Sequence, residues 1–187
     1  QTQTFTVTVQ NVNDAPVLAS VSNVSFDEDG SSDALTLSAA DPDEGDELSY
    51  SIAGGDQISA TQSGNEFTFT ASQDFNGAET FTVSVTDGEY TDSQIMNVTV
   101  SPVNDAPVVV EGNAVSITTA EDTEKSLTLN ASDIDGDSLS WSVASPASNG
   151  SATVSAGVVN YAPGASFNGN DSFAVAVTDG TDTVTVQ

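Results

Sequence analysis

The feature of this sequence that most limits its fold is an internal repeat with a period of about 91 residues. Four short strings recur in the same order, 91 or 92 positions later: Asn13-Asp14-Ala15-Pro16 as Asn104-Asp105-Ala106-Pro107, Asp41-Pro42-Asp43 as Asp133-Ile134-Asp135, Phe75-Asn76-Gly77 as Phe167-Asn168-Gly169, and Val85-Thr86-Asp87-Gly88 as Val177-Thr178-Asp179-Gly180. Four ordered matches at one period predict two copies of the same structural unit.

Alternation of apolar and polar residues predicts the secondary structure of each copy. Phe81, Val83 and Val85 alternate with threonine and serine, so they share one face of a strand, and the second copy repeats the pattern after 92 residues. Other short alternating runs are separated by Gly, Asp, Asn and Pro turns. About seven short strands per unit indicate a β-sandwich. We therefore expect an all-β chain of two tandem seven-stranded Greek-key β-sandwiches.

The repeat also predicts where the units begin and end. Phe5, Val7 and Val9 precede the first Asn-Asp-Ala-Pro string in the way that Met96, Val98 and Val100 precede the second. Residues 1–14 are therefore interpreted as the final strand and linker of a preceding repeat. Residues 15–103 form repeat 1 and residues 104–187 form repeat 2, with the linker at 102–107.

The charge of the chain excludes several functions. It contains 28 acidic residues and a single cation, Lys125, which gives a net charge of −27. Such a chain repels nucleic acid and anionic membranes, so we expect neither as a partner. There is no cysteine and no histidine, which removes disulfides, thiolate sites and the usual zinc ligands. Only oxygen ligands remain, and these suit calcium or magnesium.

Strand order predicts that acidic residues gather at the linker. In an antiparallel Greek-key sandwich, the first strand ends and the sixth strand begins at the same end of the sandwich, which is also the end where the last strand leaves the unit. In the next unit, the second and sixth strands both end at the end of the sandwich where the linker enters that unit. One linker thus collects an amide and six carboxylates: Asn104 with Glu28, Asp74, Asp105, Asp133, Asp135 and Asp179.

Six like charges in one place favour the binding of a cation. Two carboxylates 4 Å apart repel by about 4 kcal/mol at an effective dielectric constant near 20. Calcium accepts six to eight oxygen ligands of mixed type and is abundant outside cells. An EF-hand is excluded, because the twelfth loop position counted from Asp133 is Ala144 and that counted from Asp41 is Ile52, where a glutamate is needed. We therefore predict Ca²⁺ as the cofactor, bound between the repeats.

The residues resemble a known family, the cadherin-like repeats of bacterial surface proteins, often called tandem-95 repeats. Val12-Asn13-Asp14-Ala15-Pro16, Phe75-Asn76-Gly77 and Thr86-Asp87-Gly88 carry the resemblance, which covers nearly the whole chain. The resemblance implies a cadherin or Ig-like fold and calcium bound between domains. It also implies as junction ligands the residues that strand order collects.

Two departures from the cadherin pattern change the expected sites. Animal cadherin linkers begin with an acid two residues before the asparagine, whereas this chain has Asn11 or Pro102 there. Ser166 stands where the first unit has Asp74, so only Glu121 remains as a candidate below unit 2. At the N-terminal junction we expect half of a calcium site, with little or no occupancy. Its residues are Asn13, Asp14, Asp41, Asp43 and Asp87.

These observations predict a non-catalytic segment of a bacterial surface or secreted protein, extracellular, in which calcium stiffens tandem repeats that extend an adhesin. Its partners are the neighbouring repeats of the same chain, and biofilm or cell adhesion is the expected setting. We expect no direct membrane insertion, since the apolar runs are short. Glycoside cleavage by paired carboxylates and homophilic adhesion are weaker alternatives.

The main alternative is a carbohydrate-binding module that recognises a cell-surface glycan or a polysaccharide. Sugar sites usually use exposed aromatic rings. Trp141 aligns with Tyr50, and both are in phase with inward-facing neighbours, so we expect both rings in the cores. Only Tyr90, in a turn, is expected to be free.

Overall fold

A computed structural model describes residues 2–187, and every regular element in that range is a β-strand. The chain divides into unit 1, Gln1–Val103, and unit 2, Asn104–Gln187. No helix among residues 2–187 has the length and apolar character needed to cross a bilayer. The all-β prediction, with two tandem Ig or cadherin-like domains, is confirmed.

Unit 1 contains nine strand segments that form a sandwich. They are β1 (Val17–Leu18), β2 (Val24–Asp27), β3 (Leu35–Thr36), β4 (Ala39–Ala40), β5 (Ser49–Gly54), β6 (Ile58–Ser63), β7 (Glu66–Ala71), β8 (Gly77–Thr86) and β9 (Thr91–Ser101). One sheet has the order β2-β9-β8-β5 and the other β3-β7-β6, while β1 pairs with β4. Strand β2 runs parallel to β9, and the remaining pairs are antiparallel. Counting β1 with β2, and β3 with β4, as one interrupted strand each gives seven strands.

Unit 2 repeats most of this arrangement. Its strands are β10 (Val108–Val109), β11 (Lys125–Thr128), β12 (Ala131–Ser132), β13 (Ser140–Ser145), β14 (Gly150–Ser155), β15 (Val158–Pro163), β16 (Ala174–Thr178) and β17 (Thr183–Val186). The sheets have the orders β13-β16-β17 and β11-β15-β14, and β10 pairs with β12. No strand of unit 2 corresponds to β2 among the described residues.

Each unit has its own apolar core between its sheets. In unit 1 the inward apolar side chains of β8 and β9 are buried, as the alternation predicts, and Phe69 of β7 contacts Phe81 of β8 edge to face at 5.2 Å. In unit 2 Val175 and Val177 are buried, and Tyr161 stacks on Phe173 at 5.6 Å. The polar faces of the strands point to solvent, so polar function is left to the loops at the two ends of each sandwich.

Residues 2–10 form no strand, and their apolar side chains are exposed: Phe5 by 85%, Val7 by 81% and Val9 by 89%. A strand requires a hydrogen-bonded neighbour, which these residues lack. The assignment of residues 1–14 to a preceding repeat stays a prediction, and Gln1 lies outside the described residues.

Candidate metal centre

In unit 1, three loops place the residues of the predicted half-site at one end of the sandwich. Asp41 follows β4 and Asp87 follows β8, while Asn13 and Asp14 precede β1. The Asn13 side-chain amide donates to Asp87 Oδ2 at 3.0 Å. The Asp14 backbone N–H donates to Asp43 Oδ2 at 2.6 Å. The structure therefore brings all five residues of the predicted half-site together.

A local turn fixes the Asp41-Pro42-Asp43 string. The Asp43 N–H donates to Asp41 Oδ1 at 2.9 Å, which is the bond that defines an Asx turn. Asn11 adds a side-chain bond to Asp43 Oδ1 at 2.7 Å. Each carboxylate is thus held in one orientation by backbone or amide donors.

Unit 2 repeats this geometry at the equivalent positions. Asn104 donates to Asp179 Oδ2 at 3.1 Å, and the Asp105 N–H donates to Asp135 Oδ2 at 2.8 Å. The Asp135 N–H donates to Asp133 Oδ1 at 3.0 Å. Each bond has its counterpart in unit 1, so the same donors orient the same acids in both copies.

One carboxylate oxygen in each copy is buried and accepts no hydrogen bond within the described residues. These atoms are Asp41 Oδ2 and Asp133 Oδ2, in the first aspartate of the Asp-x-Asp string. Burying a charged oxygen without a partner is costly, so such atoms are rare in folded proteins. Their recurrence at one repeat position makes this oxygen a candidate ligand. A cation that binds oxygen fits the position.

Asp46 is an acid of the unit 1 site that the sequence analysis missed. One carboxylate oxygen each of Asp41, Asp46 and Asp87 lie within 4.8 Å of one another. Desolvation raises the pKa of Asp46, and the charges of Asp41, Asp43 and Asp87 raise it further. The only sequence signal for it is its place in the acidic run after Asp41, and Ser138 stands at the equivalent position of unit 2.

Hydrogen bonds keep the late aspartate of each site ionised. The pKa of Asp87 is lowered chiefly by the Tyr90 N–H, with help from the Glu89 N–H and Asn13. At Asp179 partial burial acts to raise the pKa, but donors from Thr181, Asn104 and Asp182 together lower it. Both side chains are therefore carboxylates at neutral pH, as a metal ligand must be.

At the other end of unit 1 lie Glu28 and Asp74. Glu28 is only 4% exposed, and its Oε1 accepts the Val103 N–H at 2.6 Å, while Asn76 donates to Oε2 at 3.4 Å. The Asp74 N–H donates to Asp29 Oδ1 at 3.3 Å. Asp29 was missed by sequence reasoning, although it stands next to Glu28. Since the two units are described separately, apposition of Glu28 and Asp74 with the unit 2 acids stays a prediction.

The corresponding end of unit 2 has fewer acids. The Ser166 N–H donates to Asp122 Oδ1 at 2.9 Å, as Asp74 does to Asp29, and both Ser166 and Asp74 have φ near +56°. Ser166 offers no carboxylate, and Glu121 is exposed. The loop geometry is thus preserved although the carboxylate is absent.

Two other acids, Glu79 and Asp171, accept hydrogen bonds from backbone N–H groups instead of lying against other acids. Glu79 accepts the N–H groups of Asp56, Gln57 and Ile58 at 2.8–3.0 Å. Asp171, at the equivalent position, accepts those of Ser148 and Asn149 and the Tyr161 hydroxyl. These acids hold the loops that follow β5 and β13. The alternation of apolar and polar residues does not predict this role.

The aromatic side chains are placed as the strand pattern predicts. Tyr50 and Trp141 are partly buried and pack against the cores of their units. Tyr90 is 44% exposed, in the turn between β8 and β9.

Comparison with known proteins gives the family and the fold. A family model described as "Bacterial Ig domain" matches residues 13–99 and 104–187. No curated protein sequence matches the chain.

Solved structures of cadherin type superpose on the chain at low identity. The second crystal form of human protocadherin-24 EC1-2 gives a TM-score of 0.54 with 16% identity, over 93% of this chain and 94% of that one. The EC1-4 fragment of PcdhgB3 gives 0.56 with 16% identity, over 95% of this chain and 49% of that one. These likenesses show the cadherin fold.

An endo-fucoidan hydrolase from glycoside hydrolase family 107 also matches, with 22% identity over 95% of this chain. Its TM-score of 0.41 is too low to support an argument, and this chain spans only 29% of that chain's length. Ig-like domains of this kind are typically not enzymes. The resemblance to bacterial cadherin-like repeats is confirmed, and the chain belongs, through two tandem copies, to the bacterial Ig domain family.

Proposed function

We propose that this chain is a calcium-binding, non-catalytic pair of repeats that acts as an extender in a bacterial surface or secreted protein. In this proposal calcium binds at the junction through Glu28, Asp74, Asn104, Asp105, Asp133, Asp135 and Asp179. The equivalent residues of unit 1 form half of a second site.

The observation that carries the proposal is the duplicated set of oriented acids. In both copies an asparagine and a backbone N–H hold two aspartates, and the buried Oδ2 of a third, Asp41 or Asp133, accepts no hydrogen bond from the described residues. A carboxylate that only built a turn would leave its second oxygen to water or to another donor. Preorganised oxygens reduce the cost of ordering ligands around an ion.

The donor set favours calcium over other metals. All donors are carboxylate, amide or backbone oxygens, and the chain has no histidine or cysteine. Magnesium demands near-octahedral geometry and keeps several waters, whereas calcium tolerates six to eight oxygens in irregular arrangements. Loops that present fixed carboxylates therefore suit calcium best.

The hydrogen bonds of Glu28 support a role for the proposed ion in stiffening the linker between the units. The Glu28 carboxylate holds the Val103 N–H, so it already fixes the exit of β9 toward the linker at 102–107. An ion bound by Glu28 and by the unit 2 acids would connect two separately folded sandwiches. Calcium at millimolar concentration outside cells would keep such a site filled, which agrees with the proposed extracellular location.

The test is calcium-dependent melting of unit 2, which contains the only tryptophan, Trp141. Trp141 fluorescence should report a higher Tm with calcium than with a chelator. A calcium concentration about a hundred times the dissociation constant stabilises the folded state by about 2.7 kcal/mol. Replacing Asp133 and Asp135 together (Asp133→Ala, Asp135→Ala) should abolish the calcium response.

The matched control replaces two exposed acids outside the site, Glu66→Ala with Glu124→Ala, and should retain the full response. This control carries the same change in net charge, so it separates coordination from general charge reduction. A calcium response that survives loss of Asp133 and Asp135 would show that the site lies elsewhere.

The carbohydrate-binding alternative has less support. Tyr50 and Trp141 pack against the cores, and Tyr90 offers a single exposed ring. Glycan binding that persists in the presence of a chelator would favour this alternative over the calcium-stiffened extender.

A further inference from the structure

The strand β14 lies at the edge of its sheet in unit 2 and presents unpaired backbone groups. The sheet has the order β11-β15-β14, so β14 has a hydrogen-bonded neighbour on one side only. A two-residue turn joins β14 to β15, and the pair that closes such a hairpin, here Ser155 with Val158, is hydrogen-bonded. Because hydrogen-bonded and non-hydrogen-bonded pairs alternate along antiparallel strands, the N–H and C=O groups of Gly150, Ala152 and Val154 point away from β15.

Other features of β14 agree with this assignment and leave the edge open. Pro163, which lies opposite Gly150, has no N–H and so cannot belong to a hydrogen-bonded pair. Among residues 2–187, no loop and no side chain bonds to the outward groups of β14. The register of β14 with β15 has no bulge, and residues 150–155 contain neither a charge nor a proline. The edge therefore lacks the features by which edge strands usually avoid further pairing.

The equivalent edge of unit 1, β6, is protected. By the same alternation, its outward backbone groups belong to Ile58, Ala60 and Gln62. Glu79 Oε2 accepts the Ile58 N–H at 3.0 Å, so a carboxylate occupies one end of that edge. The Gln62 side chain donates to the Tyr50 carbonyl at 2.7 Å and so connects β6 with β5 of the facing sheet.

At the start of β14, unit 2 lacks the first of these protections. Asp171 stands where unit 1 has Glu79, and its side chain is one methylene shorter. It accepts the N–H groups of Ser148 and Asn149, one position short of Gly150. The Gly150 N–H is therefore left for another strand.

The second protection is also absent from β14. Val154 stands at the position of Gln62 and carries no amide. Strand β13, at the neighbouring edge of the facing sheet, has a register irregularity between Val143 and Ser145, and a bulge of this kind discourages pairing. Of these two neighbouring edges, β14 is the one that is regular enough to accept a further strand.

We propose that β14 pairs antiparallel with β14 of a second copy of this chain. The register that uses every outward group sets Ala152 opposite itself and Gly150 opposite Val154. On the exposed face, Ser151 then lies opposite Thr153 of the other copy. A two-fold axis relates the copies, so the contact is isologous and closes at a dimer.

The distribution of charge favours a second copy as the occupant of this edge. The net charge of −27 makes copies repel, but β10 to β17 contain no acidic residue, so this pairing brings only uncharged strands into contact. Backbone hydrogen bonds supply the attraction, as in other cases of strand addition. One six-residue strand is about 20 Å long, which makes the contact a small and weak one. Salt should strengthen it, because salt screens the repulsion between copies.

Disulfide formation between two variants of the 187-residue chain tests the proposed register. A non-hydrogen-bonded antiparallel pair has Cα atoms about 4.5 Å apart, which is within the range of a disulfide. Under mild oxidation at high salt, a mixture of Ser151→Cys chains and Thr153→Cys chains should give a linked dimer, whereas either variant alone should give much less. The chain has no other cysteine, and a chelator makes the result independent of any calcium site.

The matched control places the same pair of cysteines on the protected edge of unit 1. Ser59→Cys chains mixed with Thr61→Cys chains occupy the equivalent positions of β6, and all four side chains are exposed. This mixture should give only the dimer formed by random collision.

Sedimentation velocity measures the association without cysteines. The unmodified chain should form dimers as protein and salt concentrations rise. Ala152→Pro removes an N–H that points away from β15, which an edge strand tolerates, and should abolish the dimer without lowering the Tm followed by Trp141. Ala60→Pro makes the same change in β6 and should leave the dimer intact. Ser151→Asp with Thr153→Asp blocks pairing independently of the backbone, because like charges would then lie opposite one another.

Three results would overturn the proposal. The first is an unmodified chain that stays monomeric at every concentration of protein and salt. The second is a β14 cysteine mixture that links no faster than the β6 mixture. The third is a dimer that persists in Ser151→Asp with Thr153→Asp. Absence of a calcium effect on the Tm would count against the calcium site alone, since these measurements contain a chelator.

Discussion

Acidic side chains have two roles in this chain, and their hydrogen-bond partners distinguish them. Glu79 and Asp171 use both oxygens to accept hydrogen bonds from backbone N–H groups of the loop that follows β5 or β13. Asp41 and Asp133 use one oxygen to shape a turn, while the other is buried and accepts no hydrogen bond from the described residues. The first pair stabilises the fold by itself, whereas the second pair leaves an oxygen for the cation of the proposed site.

The role of Glu79 predicts a dependence of stability on pH. The Gln57 N–H, with those of Asp56 and Ile58, lowers the pKa of Glu79 despite some desolvation. A lowered folded-state pKa gives stability that is present above the ordinary carboxyl pKa and is lost as pH falls through the folded value. Glu79→Gln should therefore cost about 1 kcal/mol at pH 7 and weaken the acid dependence of the unit 1 Tm.

Differential scanning calorimetry between pH 3 and 7, in the presence of a chelator, measures the unit 1 Tm of each variant. Glu66→Gln, at an exposed position, is the control. An unchanged acid dependence in Glu79→Gln, or an equal change in Glu66→Gln, would contradict the assigned role.

Strand elements were largely predictable from sequence, because alternation reports which face is buried. Phe81, Val83 and Val85 are buried as the pattern requires. The alternating stretch at residues 34–39 contains two short strand segments, β3 and the start of β4, and Asn65 contacts the residues between them. Its side chain donates to the Leu37 carbonyl, and its own carbonyl accepts the Leu37 N–H. Such contacts depend on residues distant in sequence, as do those of Glu79 and Asp46, so local patterns could not reveal them.

A turn between two strands of unit 2 gives a test at the element scale. Gly157, between β14 and β15, has φ near +79°, and an added Cβ would lie 2.4 Å from the Leu129 carbonyl oxygen. Gly180 also has positive φ, near +108°, but a Cβ there would meet nothing within 4 Å. Gly157→Ala should therefore destabilise unit 2 by about 1–3 kcal/mol more than Gly180→Ala does, since only the former adds a clash to the backbone strain.

Urea unfolding followed by Trp141 fluorescence measures both variants in the same unit. Equal destabilisation would mean that backbone conformation alone limits these positions and that the turn has room for a methyl group.

At the scale of the whole chain, the excess of negative charge is the dominant physical fact. A single cation, Lys125, faces 28 acids, so attraction within the protein compensates almost none of the charge. Repulsion of this size opposes close approach of two folded units. The proposed calcium site reverses this effect locally, because it places positive charge where the acids of the two units are expected to meet. Family membership accounts for the fold, and the proposed calcium ion would account for the clustering of acids.

Calcium should therefore restrict the motion of unit 2 relative to unit 1. Since the chain has no cysteine, Ser59→Cys and Ser151→Cys introduce one exposed spin-label site in each unit. Pulsed electron resonance should give a narrow distance distribution in calcium and a broad one in a chelator at matched ionic strength. The same labels on a chain with Asp133→Ala and Asp135→Ala should give a broad distribution in both conditions. If the chain with Asp133 and Asp135 intact gave equally wide distance distributions with and without calcium, stiffening would be refuted. A rise in Tm with calcium would not rescue it, because an ion bound within one unit stabilises that unit without ordering the linker.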